Sequence, residues 1–111
     1  MREFLRSKIH RATVTDANLD YIGSISIDKL LMEKSGLGEN EKVHVWNISN
    51  GERIETYVIS GKKGEITLNG AGAHKFKKGD KIIIAAFEIS EKAPKPKLVL
   101  VNDSNEFVKY L

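Results

Sequence analysis

Asn50-Gly51 lies between two runs that alternate polar and apolar residues, Val43-His44-Val45-Trp46-Asn47-Ile48 and Arg53-Ile54-Glu55-Thr56-Tyr57-Val58-Ile59. An Asn-Gly pair tolerates the positive φ angles of a tight turn whose twist matches that of paired strands. Alternation with period two puts every second side chain of each run on a common core face. The pair therefore predicts an antiparallel hairpin over residues 43–59, and a hairpin needs further strands or a helix to be stable.

The rest of the chain supplies them. Phe4 to Thr15 alternates and carries β-branched residues, which predicts one long strand or two broken ones. Ser24 to Ile27 reads as a short extended piece. Asp28 is placed to cap a helix over Lys29–Ser35, and Gly36 stands where a helix C-terminus favours glycine. A turn over Gly61–Gly64 precedes a strand at Glu65–Leu68, and Asn69 is placed to cap a single helical turn running to His74. Lys81 to Ile89 is a continuous apolar run, expected to be a central strand buried on both faces. Glu91-Lys92-Ala93-Pro94-Lys95-Pro96 reads as an extended linker, because its prolines cannot donate to a ladder. Lys97–Val101 is expected as an edge strand, with residues 102–111 either docked on a neighbouring subunit or mobile. The division is a barrel over residues 1–90 and a linker with tail over 91–111. About six short strands with one or two short helices make the chain mainly β and argue for a small closed barrel.

Composition narrows the chemistry. With 111 residues, 41% hydrophobic and 30% charged, the chain is one ordinary globular domain. It has no cysteine, so disulfides, thiolate catalysis and cysteine-ligated zinc are excluded. His10, His44 and His74 are scattered without metal-ligand spacing, and neither GxxxxGK[ST] nor GxGxxG occurs. A net charge of +3 with interspersed signs argues against nucleic acid, and the cluster Lys75-Phe76-Lys77-Lys78 reads as a solvated turn. No apolar run approaches the roughly 18 residues of a membrane span. No secretory signal is visible, so the expected location is cytoplasmic. Hydroxyls, carboxylates, amines and the backbone remain to do chemistry.

Against that background Tyr21-Ile22-Gly23-Ser24 gains weight. It follows the basic, β-prone Lys8-Ile9-His10-Arg11 and precedes the capped helix. Arg53, Thr56-Tyr57 and the small-residue turn Asn69-Gly70-Ala71-Gly72-Ala73-His74 come later. With Asn40-Glu41, Trp46-Asn47, Asn50-Gly51-x-Arg53 and Gly79-Asp80 in the same order, this set resembles the pyruvoyl-dependent aspartate 1-decarboxylases over roughly Met1 to Ile89.

The resemblance implies a double-psi β-barrel and a chain that cuts itself between Gly23 and Ser24. The Ser24 hydroxyl would attack the Gly23 carbonyl. Elimination and hydrolysis would then leave a covalent pyruvoyl group on the chain starting at residue 24, with no metal and no pyridoxal phosphate. That group would form a Schiff base with L-aspartate and take up the electrons released with CO2, giving β-alanine for pantothenate synthesis. Further implications are Tyr57 as proton donor, Thr56 as an aid to cleavage and a substrate contact, and Arg53 and Lys8 as partners of the substrate carboxylates. Gly70, Ala71 and Gly72 would bring backbone amides to the substrate, with Asn69 in support and His10, Tyr21 and Trp46 as secondary members. The family commonly has alanine where Gly72 stands, and Ile25 replaces the small residue common after the cleavage point. Active sites between the subunits of a homotetramer are also implied.

Read on residue type alone, Lys8 and Arg53 are equally well explained as surface ion pairs, and Tyr57 and Trp46 as core aromatics. Two alternatives stand beside the enzyme: a non-catalytic small β-barrel that binds a partner, and a homologue that never cleaves.

Overall fold

The computed structural model describes residues 1–111. Its elements in chain order are β1 (Arg2–Thr13), β2 (Asp16–Asn18), β3 (Ile25–Asp28), α1 (Lys29–Ser35), β4 (Lys42–Asn47), β5 (Arg53–Gly61), β6 (Ile66–Asn69), a 3-10 helix (Gly70–Lys75), β7 (Lys81–Ser90), β8 (Lys97–Val101) and β9 (Phe107–Tyr110). The chain is mainly β, as its pattern predicts. The hairpin forms where Asn50-Gly51 places it: Trp46 pairs with Arg53, Val45 with Ile54, and Gly51 has φ of 79°.

The first segment is one strand with two interruptions. Its register against β7 shifts between Leu5 and Ser7 and again between His10 and Ala12. Arg11, at φ 66°, is the extra residue of the second shift. A bulge changes which parity faces inward, so both Ser7 and Ile9 and then Ala12 and Val14 reach the interior. The same segment then changes partners. Val14 N–H donates to the Asp80 carbonyl at 2.9 Å and Thr15 N–H to the Ile66 carbonyl at 2.8 Å, after which β2 runs parallel to β6.

This handover explains the topology. The strand order is β2-β6-β3-β5-β4-β7-β1-β8-β9, and its end strands do not pair, so the ladder is not closed by hydrogen bonds. Yet β1 and β2 are consecutive in the chain, and they pair with β7 and β6 respectively. Covalent continuity wraps the sheet around its core where a ladder does not. The enclosed cluster includes Ile9, Ile25, Ile27, Val43, Val45, Val58, Ile66, Leu68, Ile82 and Ile84, all fully buried.

Asp28 sets the start of α1 and does more than cap it. One carboxylate oxygen accepts from Leu30 N–H at 2.8 Å and the other from Gly64 N–H at 2.7 Å. Gly36 closes the helix at φ 76°. No helix is long and apolar enough to cross a membrane.

Three local expectations are corrected. Asn69 precedes the 3-10 helix but makes no capping hydrogen bond, because its amide donates instead to the hydroxyls of Ser24, just before β3, and Ser26, on β3. β7 is central, between β4 and β1, but it is not buried on both faces. Ile82, Ile84 and Ala86 point inward, whereas Ile83 and Phe87 are half-buried and Ile89 is exposed. β8 is a strand but not an edge. It runs parallel to β1 and is covered by β9, which the sequence pattern did not predict.

Asn105 pins this last hairpin to the body of the fold. Its amide donates to the carbonyls of Thr13 and Gly64, both at 2.9 Å, and accepts from Thr13 N–H at 2.8 Å. Asn105 is 1% exposed. Asn105→Ala would leave buried backbone groups unpaired and is expected to lower stability by about 2–4 kcal/mol, read as a shift in the urea midpoint. A variant as stable as the parent would show that these bonds do not hold the hairpin.

Candidate active site

The site is built around the start of β3. Ile25 pairs with Val58 on one side and with Leu68 on the other, so the strand is held between β5 and β6 from its first residue. Ser24, immediately before it, is 2% exposed and has φ of 105°. A serine rarely adopts that angle, and such strain persists only where the surroundings over-determine it. Here they do. Asn69 N–H donates to the Ser24 carbonyl at 2.9 Å, and Asn69 Nδ2 donates to Ser24 Oγ at 3.1 Å. The φ of Gly23 is not positive, so the strain sits on Ser24.

Gly23 is instead a point of close approach. A β-carbon on it would lie 3.7 Å from both Cε1 and the hydroxyl of Tyr57, which places the phenol against the Gly23–Ser24 junction. On the other side, a β-carbon on Gly70 would lie 2.7 Å from the N and Cα of Gly23 and 3.1 Å from the Tyr21 carbonyl oxygen. Gly70 is itself at φ 71°. Both its angle and its packing therefore require glycine. The small-residue turn lies directly against the candidate scissile bond, with Ala71 exposed and Gly72 half-buried. A β-carbon at Gly72 would meet only the tip of Ile54, at 2.8 Å. Thr56 and Tyr57 take opposite faces of β5, since no bulge interrupts the β4–β5 register. Tyr57 is exposed, which rules out the core-aromatic reading.

A second group lies across the sheet. His10 pairs with Ile83, Ile83 with Trp46, and Trp46 with Arg53, so these four form one cross-strand row on the outer face. Lys8 is two residues from His10 on the same face. Arg53 stacks on the Trp46 ring, its guanidinium carbon 5.0 Å from the centroid. The salt bridges of the chain leave out both Lys8 and Arg53. The surface-ion-pair reading of these two cations is therefore set aside. The half-buried His10 has a pKa lowered from its ordinary value, first by burial and then by the charges of Lys8 and Arg11. Its Nδ1 is the one buried side-chain polar atom without a hydrogen-bond partner.

A single chain does not unite the two groups. Arg53 and Tyr57 are four residues apart on β5, about 13 Å along a strand, and Lys8 is three strands from β5. No group of three or more His, Asp or Glu side chains is arranged to hold a metal ion.

The order of these residues, and the packing of Tyr57, Asn69 and Gly70 around Gly23–Ser24, coincide with a family-level match. The family model described as aspartate decarboxylase matches residues 1–108. The chain belongs to the aspartate decarboxylase family. A protein named aspartate 1-decarboxylase from Caldicellulosiruptor saccharolyticus is 57% identical over 113 residues, covering 96% of this chain and 88% of the relative. One of the same name from Campylobacter curvus is 57% identical, with 96% of each covered. Another from Sulfurimonas denitrificans is 53% identical, with 98% and 95% covered.

The geometry adds one residue to those named from the sequence: Ser26, on β3. Ser26 is 7% exposed, and its Oγ accepts from Asn69 Nδ2 at 3.1 Å. Nothing in its local sequence marks it: Ser24 precedes the strand, and the Asn69 amide is what brings the two hydroxyls together.

The two turn glycines should respond differently to a methyl group. Gly70→Ala combines a positive φ with overlap on Gly23 backbone, and is expected to destabilise the fold by at least about 1–3 kcal/mol and to displace the 21–23 loop. Gly72→Ala displaces only the Ile54 tip and should stay within about 1 kcal/mol of the parent. Thermal unfolding of the pair checks this, and equal losses would contradict the packing described.

Proposed function

We propose that this chain is a self-processing L-aspartate 1-decarboxylase that releases CO2 and forms β-alanine, as the names of its relatives suggest. The observation that carries the reading is Ser24: a buried hydroxyl on a strained residue, preceded by a glycine and held at both its carbonyl and its Oγ by Asn69. Backbone strain at a Gly-Ser junction favours a reaction that relieves it. Attack of Ser24 Oγ on the Gly23 carbonyl converts the peptide bond to an ester. Loss of the Ser24 α-proton then breaks the Cβ–Oγ bond, with the electrons leaving on the Gly23 carboxylate. Hydrolysis of the resulting dehydroalanine releases ammonia and leaves the pyruvoyl group.

The residues present fit such a group. Its attachment point immediately precedes Ile25, which pairs with both β5 and β6, its carbonyl accepts from Asn69 N–H, and Gly70 packs against the adjoining Gly23. Once formed, the group supplies a ketone for the substrate amine and an adjacent carbonyl as electron sink. The remaining work belongs to side chains. Tyr57 lies against the junction, and its phenol O–H can deliver a proton to the substrate carbon. The Gly70–Gly72 turn packs on Gly23, and its backbone amides would orient a substrate carboxylate. Asn69 and Tyr21 lie at the junction in supporting roles, and Thr56, on the face of β5 opposite to Tyr57, completes the proposed set.

Arg53, fixed on Trp46 and without an ion-pair partner, suits bidentate carboxylate binding, and Lys8 adds a second positive charge. Their distance from Tyr57 supports a site completed by a second copy, with the cationic row of one subunit facing the cleavage junction of the next. A homotetramer with sites between subunits, a cytoplasmic location and β-alanine supply for pantothenate synthesis complete the proposal.

Intact mass tests the first half. The purified chain should appear as residues 1–23 and 24–111, the larger fragment blocked to Edman degradation. Ser24→Ala should fold yet stay whole. A parent chain that stays whole and releases no CO2 from aspartate would end the proposal. Tyr57→Phe should cleave normally and lose turnover by about 10²–10⁴-fold, and unchanged turnover would remove tyrosine from the proton-donor role.

A further inference from the structure

Ser24 stands just before β3 and Ser26 on it, and the Asn69 side chain at the end of β6 reaches both hydroxyls. An amide nitrogen has two hydrogens. One goes to Ser24 Oγ and the other to Ser26 Oγ, each at 3.1 Å, among groups that are 2%, 7% and 5% exposed. The amide therefore has two anchors beyond its own backbone. Ser24 is the anchor that the proposed reaction consumes, and Ser26 is the one that stays.

We infer that Ser26 is a positioning residue for self-cleavage: it locks the Asn69 amide so that an N–H remains on Ser24 Oγ throughout the conversion. This rests on the self-cleavage proposed above. One oxygen atom passes through every stage of the conversion. In the serine it is Oγ, a neutral acceptor. After attack on the Gly23 carbonyl it is the alkyl oxygen of the ester, and no atom has left the chain. In the next step the Ser24 α-proton departs, Cα and Cβ become doubly bonded and the Cβ–Oγ bond breaks. That oxygen then leaves as part of the Gly23 carboxylate. Only in this last step does it acquire negative charge.

A hydrogen bond to an ionised acceptor is roughly twice as strong as one between neutral groups. The Asn69 N–H thus favours elimination more than it favours the initial attack. The benefit depends on orientation. The terminal torsion of an asparagine is broad, and rotation by half a turn would present its carbonyl oxygen to the departing carboxylate. Ser26 Oγ opposes that rotation by holding the second hydrogen. Buried between two strands, it keeps its place while Ser24 is transformed.

The test uses the full-length chain, isolated early in processing and followed by intact mass with and without hydroxylamine, which cleaves an ester and marks Gly23 as its hydroxamate. Four chains are compared: the parent, Ser26→Ala, Ser26→Thr and Ser26→Val. Threonine and valine have nearly the same volume and differ by the hydroxyl, so this pair separates the oxygen from packing. The alanine and valine variants should release the two fragments about tenfold more slowly and accumulate hydroxylamine-sensitive chain. The threonine variant should run close to the parent. Equal rates in all four would overturn the inference. So would slow release without ester accumulation, or a threonine variant as slow as valine, since both indicate a packing role. A parent chain that never cleaves defeats the underlying reading instead, which a slow variant beside a normal parent does not.

Discussion

The first eighteen residues carry the constraint on which the rest of the molecule depends. One segment must pair with β7 along its first part and with β6 along its second, with an irregular step at Val14–Thr15 between them. The step costs little backbone bonding, because Asp80 and Ile66 carbonyls accept the two amide protons that leave the ladder. Thr15 Oγ1 completes the exchange with Ile66, accepting from its N–H at 3.0 Å. Buried backbone groups left unpaired would be expensive. Because the handover is satisfied, a sheet whose end strands never pair can still wrap around one core. β6 is thereby fixed between β2 and β3, and Asn69 at its end is held close to Ser24.

That placement gives the strain at Ser24 its support. A residue at φ 105° relaxes unless its neighbours prevent it. On one side β3 is bonded to β5 and β6 from Ile25 onward, and on the other Gly70 leaves no room for the 21–23 loop to move toward the turn. The buried cluster behind β3 supplies the free energy that such a device consumes: Ile25, Ile27, Ile66 and Leu68 are fully buried on the inward face. Ser24, Ser26, Thr67 and Asn69 alternate with them on the outward one. A hydrophobic core and a polar site are thus two faces of the same short strands.

Much of this was legible in the sequence, for reasons that can be traced to residues. The hairpin at Asn50-Gly51, the Asp28 cap and the Gly36 stop are local signals, and each operates through atoms within a few positions of itself. The bulges in β1 were not legible. They depend on which parity the distant β7 and β6 require, and Arg11 carries no local mark of its positive φ. β9 was missed because Phe107–Tyr110 has exposed alternate residues and is held by Asn105, whose partners Thr13 and Gly64 are far away in sequence. Asn69 was read as a cap because local rules favour that role. Its amide serves β3 instead, since two buried hydroxyls with no other donor offer it better partners. At the site, order and spacing pointed to the residues proposed for it. The location of the strain and the role of Ser26 required the register of β3 against β6.

The separation between the cationic row and the Gly23–Ser24 junction follows from the same register. His10, Ile83, Trp46 and Arg53 stand in one row because β1, β7, β4 and β5 are neighbours, and Tyr57 lies farther along β5 on the same outward face. That face also has the half-buried Phe87 and the exposed Ile89, with Trp46 shielded mainly by Arg53. A monomer exposing such a surface would gain by covering it. In the proposed assembly the covering is done by a second copy, which supplies what the first chain lacks. An unpaired guanidinium fixed on an indole loses little freedom when it meets a carboxylate. Holding Arg53 away from every acidic side chain of its own chain keeps that interaction available for a ligand reaching across from the neighbouring junction.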